Sequence, residues 1–164
     1  MLGTPSIGRS TITVNGKKIG IASYLDWLPD LVITPCIRYL KEALKDIQKW
    51  NNASGGYGFN VEFDGEGAGN FGIVEIGDDF YTYDTQGTEE PYIRLTELDL
   101  EPYRWTGYKF IQSLLNEIVN DIESDFEGWV IWDAFNSKDE QINRQALHEL
   151  LDEAKAVLAE IPEK

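Results

Sequence analysis

The sequence predicts an α+β fold, with an antiparallel β-sheet of about five to seven short strands packed against two or three amphipathic helices. Three observations lead to this class: an Asn-Gly turn between β-branched segments near the N-terminus, short apolar segments separated by turn residues in the middle, and long stretches with helical apolar spacing. A chain of 164 residues has a common size for one domain. We therefore expect residues 1–164 to form a single domain.

Strand signals occupy two parts of the chain. Asn15-Gly16, a pair that tolerates the positive φ angles of a tight turn, predicts a β-hairpin over residues 11–21. Further along, short β-branched and aromatic segments alternate with turn residues, which favours an antiparallel meander over βαβ units. The predicted strands are Tyr57–Phe63, Phe71–Ile76, Phe80–Tyr83 and Tyr92–Leu95, with Gly128–Asp133 as one more.

Three helices are predicted from apolar residues at helical spacing. The first is expected to begin at Thr34-Pro35, with threonine as N-cap and proline at the first helical position, and to end near Asn51-Asn52. The second covers about residues 106–125 and has a wide apolar stripe. The last begins with the capping box Ser137-Lys138-Asp139-Glu140, in which serine and glutamate satisfy backbone amides reciprocally.

Charge is distributed unevenly along the chain. Residues 1–60 carry four acidic and seven basic side chains, a net +3, whereas residues 61–164 carry 25 acidic and seven basic side chains, a net −18, and together they make the −15 of the whole chain. Solubility requires a net charge of magnitude only about 2–8, and the repulsion among like charges destabilises a compact domain. The excess therefore indicates a positively charged partner.

The composition also bears on partners and on the compartment. Direct binding to nucleic acid or to an anionic membrane is not expected, because both require clustered lysine and arginine. No apolar run approaches the roughly 20 residues that span a bilayer, and the N-terminal segment does not resemble a signal peptide. Cys36 is the only cysteine and cannot form an internal disulfide. We expect a soluble protein of the cytoplasm.

Catalytic and metal-binding patterns are weak, and no cofactor or metal is expected. Cys36 is predicted in the first turn of a helix beside core residues, and His148 within the last helix, so a structural role is favoured for both. The segment from Asp64 matches an EF-hand calcium loop in Gly69 and Glu75, but Ala68 stands where a side-chain oxygen is needed. A structural turn is the better interpretation.

Acidic residues on the second helix break two local rules. Glu117, Asp121 and Asp125 share one face at i, i+4 and i+8, where like charges repel. Asp125 also lies at the helix C-terminus, where the dipole disfavours anions. Broken local rules are expected where function imposes its own demands. Together with acids and tyrosines of the meander, the candidate partner-binding residues are Asp64, Glu66, Asp78, Asp79, Tyr81, Tyr83, Asp84, Glu89, Glu90, Glu117, Asp121 and Asp125.

The overall character resembles that of the immunity proteins that protect bacteria from contact-dependent or polymorphic toxins, many of which are nucleases. The resemblance rests on the acidic segment, on the pairs Asp78-Asp79 and Glu89-Glu90, on the acidic helix face and on the aromatic-rich sheet. Such proteins are typically small acidic single domains that plug the nucleic-acid-binding cleft of a toxin. The resemblance therefore implies a protein that neutralises a basic toxin domain, and no enzyme activity.

Two alternatives stay open on the sequence alone. A DNA-mimic antirestriction or anti-defence protein would display its acids as a long, spaced row, whereas a toxin inhibitor would display a compact patch. A carboxylate-based hydrolase would need a concave pocket and a carboxyl group whose pKa is strongly raised.

Overall fold

The computed structural model describes residues 1–6, 9–14, 16–23, 27–51, 53–65, 69–84, 92–94, 107–132 and 140–163, and for residues 92–94 it describes the backbone. The predicted α+β class is confirmed. The strands are β1 (Ser10–Val14), β2 (Lys17–Ala22), β3 (Asn60–Asp64), β4 (Asn70–Ile76), β5 (Asp79–Asp84) and β6 (Tyr92–Arg94). The helices are α1 (Leu28–Trp50), α2 (Gly107–Ser124), α3 (Phe126–Val130) and α4 (Glu140–Glu160).

The strands of the described ranges form two antiparallel sheets rather than one. β1 and β2 form the predicted hairpin as a sheet of their own, and the meander forms a second sheet in the order β3-β4-β5-β6. The larger sheet thus has fewer strands than predicted. The physical reason is that, among the described residues, β2 packs on the meander through contacts such as Gly20 with the Phe71 ring and adjoins it by the bridge between Ala22 and Gly65, without a continuous ladder.

The strand predicted over residues 128–133 is wrong where the structure describes it. Residues 126–130 form α3, and the Asp125 carboxylate caps this helix by accepting a 3.3 Å hydrogen bond from the Gly128 backbone N–H. The Trp129 N–H donates to the Asp125 carbonyl at 3.2 Å. Periodicity alone does not distinguish a short apolar strand from a short buried helix, and here the cap decided the outcome.

Helix α1 begins about two turns earlier than predicted, at Leu28, so that Pro35 lies inside the helix. Pro29 occupies the favoured position near the N-terminus instead. The Thr34 hydroxyl does not cap the helix but donates to the Asp30 carboxylate at 2.6 Å. The predicted end is confirmed, because Asn51 terminates α1 in the left-handed conformation with a φ of 53°.

The other two predicted helices are placed close to their expected bounds. Helix α2, Gly107–Ser124, confirms the prediction over residues 106–125. Helix α4 begins at Glu140, and the rest of the predicted capping box lies outside the described residues. Among the helices that the structure describes, none is both long enough and apolar enough to cross a membrane.

The larger sheet buries one face against helices. Phe80 of β5 packs on Tyr39 of α1 with ring centroids 6.1 Å apart and on Phe110 of α2 at 4.4 Å. Alternate strand residues such as Val61 and Ile73 are also buried. The opposite face of this sheet, called here the outer sheet face, therefore points away from α1 and α2.

Candidate partner-binding surface

Strand β5 alternates between a buried and a more exposed side. Phe80 and Thr82 are buried at 8% and 7% exposure, whereas Tyr81 and Tyr83 are half-buried. The two tyrosines therefore lie on the outer sheet face, as the period of two in a β-strand predicts.

Cross-strand register determines which residues share the outer sheet face. Tyr81 pairs with Val74 and Tyr83 pairs with Gly72 on β4, while Glu62 of β3 pairs with the same Gly72 on its other side. The residues of β3, β4 and β5 on the outer sheet face are thus Asn60, Glu62, Asp64, Asn70, Gly72, Val74, Ile76, Asp79, Tyr81 and Tyr83, and on β6 the backbone positions of Tyr92 and Arg94 pair with Tyr83 and Tyr81. Four of the predicted binding residues are in this set, namely Asp64, Asp79, Tyr81 and Tyr83.

Glu62 is an exposed member of the outer sheet face that sequence analysis did not select. Its Oε2 accepts a hydrogen bond from the Tyr83 hydroxyl at 3.1 Å, and its Oε1 accepts one from the Asn70 amide at 2.8 Å. The Tyr83 ring reaches Glu62 by crossing Gly72, which has no side chain to block it. The available sequence signal was Gly72 inside a strand pattern, which marks a close approach of another group.

The turn between β4 and β5 presents Asp78 to solvent and Asp79 at the start of β5, where it is half-buried. Gly77, with a φ of 66°, provides the left-handed residue that this tight turn requires. These two predicted residues therefore lie at one end of β5, with Asp79 on the outer sheet face and Asp78 in the turn beside it.

A partly exposed cluster of hydrogen bonds around Glu75, called here the hub, lies next to this turn. The Glu75 carboxylate accepts hydrogen bonds from the Tyr39 hydroxyl at 2.7 Å and from the backbone N–H groups of Gly56 at 2.7 Å and Gly58 at 3.0 Å. Both glycines have positive φ angles, of 93° and 77°. The hub links α1, the segment before β3 and strand β4. The hub was not predicted, although the cluster of glycines at positions 55, 56 and 58 was a signal for it.

Two tyrosines near this hub have raised pKa values. Burial raises the pKa of Tyr39 well above its usual range, and the hydrogen bond to Glu75 raises it further. The pKa of Tyr57 is raised to about 12 by burial and then by the 2.5 Å hydrogen bond that its hydroxyl donates to Asp46. Both hydroxyls therefore remain protonated donors at neutral pH.

The acidic face of α2 points at the N-terminal amine. The Met1 ammonium group lies 2.9 Å from a Glu117 oxygen and 2.5 Å from an Asp121 oxygen, and the Leu2 N–H donates to Asp121 at 2.8 Å. The Met1 side chain is only 1% exposed. The repulsion between Glu117 and Asp121 is thus offset by a buried cation that the sequence pattern did not reveal.

Asp125 also has an intramolecular role. It follows the C-terminus of α2 but caps the N-terminus of α3, where the helix dipole favours an anion. The local rule that seemed broken at this position is therefore satisfied by the next helix.

Several other acids of the C-terminal half pair with basic side chains. Glu123 pairs with Lys155, and Glu127 forms a two-bond pair with Arg144. The hydrogen bonds from Arg144 lower the pKa of the Glu127 carboxyl. A carboxyl group that acts as a catalytic acid needs a raised pKa, so this lowered pKa does not suit Glu127 to that role.

The basic side of α1 faces α4. The ammonium group of Lys41 lies 2.6 Å from a Glu153 oxygen, and Lys45 pairs with Glu42 on its own helix at the same distance. These lysines therefore do not neutralise the outer sheet face.

The remaining predicted residues are placed as follows. Glu66, Glu89 and Glu90 lie outside the described residues. Asp84 is exposed at the end of β5 and, with Lys18 and Phe71, lines a groove of about 250 Å³ between β2 and the larger sheet. The predicted sites are thus divided between the outer sheet face, its β4–β5 turn, this groove and the α2–α3 corner.

Neither weak catalytic pattern gains support from its surroundings. Cys36 is fully buried, and burial raises the pKa of its thiol far above the usual range, whereas a reactive cysteine has a lowered pKa. His148 is exposed, and its ring packs on Phe126 with centroids 4.5 Å apart. Across the described ranges, no group of three or more histidine, cysteine, aspartate or glutamate side chains is arranged to hold a metal ion.

In comparisons with models of protein families, with curated proteins and with solved structures, none was found to match this chain.

Proposed function

We propose that this protein is an acidic inhibitor that binds and neutralises a basic protein, as an immunity protein blocks the active or nucleic-acid-binding cleft of a toxin. The observation that supports this function best is the outer sheet face, where Tyr81 and Tyr83 lie on the same side of the sheet as Glu62 and Asp79. Tyrosines are effective anchors in interfaces because they contribute large area at little entropic cost. Neighbouring carboxylates contribute steering and specificity.

The charge balance supports a basic partner. If each of the 14 basic side chains paired with one of the 29 acidic ones, 29 − 14 = 15 acidic side chains would still be left over. Such an excess attracts a basic cleft over several ångströms and accelerates association, and this attraction weakens as salt rises. In the partner's cleft, the carboxylates take the place of nucleic-acid phosphates.

The proposed site of action is the cytoplasm, where a toxin with an intracellular target would be neutralised. The surface that supports this proposal is compact, because the acids of the outer sheet face and of the β4–β5 turn lie on one small sheet. A compact patch fits a toxin inhibitor better than a DNA mimic, which needs a long, spaced row of charges.

The test is binding to the basic domain of a toxin encoded beside the gene for this chain, measured by calorimetry at about 0.05 M and about 0.5 M salt. The variant Asp78→Lys/Asp79→Lys reverses the charge of the turn while keeping the Glu117 and Asp121 pairs with Met1 intact. The matched control, Glu149→Lys/Asp152→Lys, makes the same charge change on the exposed side of α4. We expect a large loss of affinity in the first variant and a small one in the control.

Three outcomes would contradict the proposal. Equal losses in both double variants would show that only net charge matters, and an affinity independent of salt would remove the electrostatic argument. If this chain competes with duplex DNA for a DNA-binding defence protein and has no effect on a toxin, the DNA-mimic alternative is favoured. Co-expression gives a second readout, because the native chain should restore growth to cells that produce the toxin domain.

A further inference from the structure

We infer that Ile76 is the apolar anchor of the partner-binding surface, and that the basic partner meets it with an apolar recess bordered by lysine or arginine, an assignment that rests on the proposed function. The interface then has two parts. One is an apolar contact at Ile76 that does not depend on salt, and the other is the attraction of nearby carboxylates such as Asp78, which does.

Strand β4 contributes no charged side chain to the outer sheet face. Along this strand, exposure on that face increases toward the β4–β5 turn, from Gly72, which is buried, through Val74, which is half-buried, to Ile76, which is 48% exposed. Ile76 is one of four large apolar side chains that are exposed in the described parts of the chain. Because a single exposed apolar side chain is common in proteins, the assignment depends on what surrounds it.

The strand on one side of Ile76 leaves its side chain clear. The Glu75 N–H donates to the Phe59 carbonyl at 2.8 Å, which continues the β3–β4 register beyond Asn60 and places Gly58 opposite Ile76. Gly58 has no side chain and is itself exposed. A partner can therefore approach the isoleucine from this side down to the backbone.

The strand on the other side brings a charge close to Ile76. Ile76 pairs with Asp79 at the start of β5, and the turn between them carries Asp78. Asp79 also interacts within the chain, so the charge displayed at this end of the sheet is that of the exposed Asp78. Ile76 lies two strands away from β6, where Arg94 pairs with Tyr81.

An exposed aliphatic side chain beside a carboxylate fits a partner of defined chemistry. Stable interfaces have a desolvated apolar centre and a polar rim that excludes water. Ile76 supplies the centre on this chain, and Asp78 belongs to the rim. Charge complementarity with Asp78 and with the net charge of −15 requires a basic rim on the partner.

The size of the apolar contribution follows from the exposure of Ile76. Since 48% of the side chain is exposed, binding can bury about half of it. We expect Ile76→Thr to weaken binding about three- to tenfold. The factor should be the same at low and high salt, because ions screen charges and leave apolar contacts in place.

The experiment measures binding of the full chain to the toxin domain by calorimetry at about 0.05 M and about 0.5 M sodium chloride. The decisive variant is Ile76→Glu, which removes the apolar side chain and adds a negative charge. Attraction by charge alone predicts that this variant binds a basic partner more tightly, whereas an apolar anchor predicts weaker binding. Ile142→Glu is the matched control, because it makes the same change at an isoleucine that is 65% exposed near the start of α4.

At high salt we expect Ile76→Glu to lose at least as much affinity as Ile76→Thr, and Ile142→Glu to bind at least as tightly as the native chain. Unchanged or tighter binding in Ile76→Glu would overturn the assignment, and so would equal losses at both positions. Ile76→Thr keeps a β-branched side chain in the strand and gives the same test if the glutamate variant does not fold. Failure of the proposed function is seen separately, as absence of salt-dependent binding by the native chain, and would overturn both.

Discussion

The Tyr39 hydroxyl donates a 2.7 Å hydrogen bond to the Glu75 carboxylate, which connects the middle of α1 to strand β4. The same carboxylate receives the backbone N–H groups of Gly56 and Gly58, so one side chain fixes three segments of the chain. Glu75 immediately precedes Ile76 and the turn that carries Asp78 and Asp79. The position of these two acids therefore depends on a contact made on the opposite side of the sheet.

Replacing Tyr39 by phenylalanine is expected to destabilise the protein by about 1.5–3 kcal/mol, the usual contribution of a hydrogen bond to a charged group. Urea unfolding of Tyr39→Phe, Glu75→Gln and the double variant measures the coupling between the two side chains. If the two single losses simply add in the double variant, the hydrogen bond contributes no coupling energy.

Alkaline pH is expected to reduce the stability of the protein. The folded-state pKa of Tyr57 is about 12, against an ordinary value of 10.0, because burial and the Asp46 hydrogen bond favour the neutral form. A raised pKa means that the folded state retains this proton, so the stabilisation is complete below the unfolded pKa and is lost as pH rises through the folded one. Urea midpoints measured from pH 9 to 12 should therefore fall, and less steeply in Tyr57→Phe. An identical fall in both proteins would exclude a contribution from Tyr57.

Asp121→Asn is expected to cost about 1–3 kcal/mol, because it removes a charged partner from an ammonium group that is largely buried. The matched control is Glu123→Gln, which makes the same charge change two residues away in α2 but affects an exposed pair with Lys155. Exposed pairs contribute less than about 1 kcal/mol. The midpoint of thermal unfolding should therefore fall further in Asp121→Asn than in Glu123→Gln. Equal falls would argue against a stabilising role for the Met1–Asp121 pair.

Asp125→Ala is expected to destabilise the α2–α3 corner by about 0.5–2 kcal/mol, because alanine has no acceptor for the Gly128 N–H. Asp125→Asn keeps an acceptor and should remain close to the native stability. The same pair distinguishes capping from partner binding. If Asp125→Asn keeps the native stability but binds the partner more weakly, the charge of Asp125 contributes to the interface.

Local signals predicted much of the fold. Asn15-Gly16 predicted the hairpin, the apolar stripe of α2 predicted that helix, and Asn51 marked the end of α1. The alternation of β5 placed Tyr81 and Tyr83 on one face because the direction of a strand side chain depends only on its own position.

Where the prediction failed, two local patterns were both acceptable and packing chose between them. Thr34-Pro35 resembles a helix start, yet buried residues such as Leu28 and Val32 extend α1 toward the N-terminus. A run of apolar residues after Gly128 resembles a strand, yet Trp129 and Val130 are buried within helix α3, whose N-terminus Asp125 caps.

By itself, the sequence determined the α+β class, the excess of negative charge and the display of tyrosines on one side of β5. Only the tertiary structure decided which acids lie on the outer sheet face and which pair within the fold. Met1 meets Asp121 across 120 positions of the chain, and Tyr83 meets Glu62 across 21 positions and over Gly72. Contacts of this kind depend on how elements pack, and although Gly72 indicates a close approach, the spacing of residues along the chain does not specify which side chains meet.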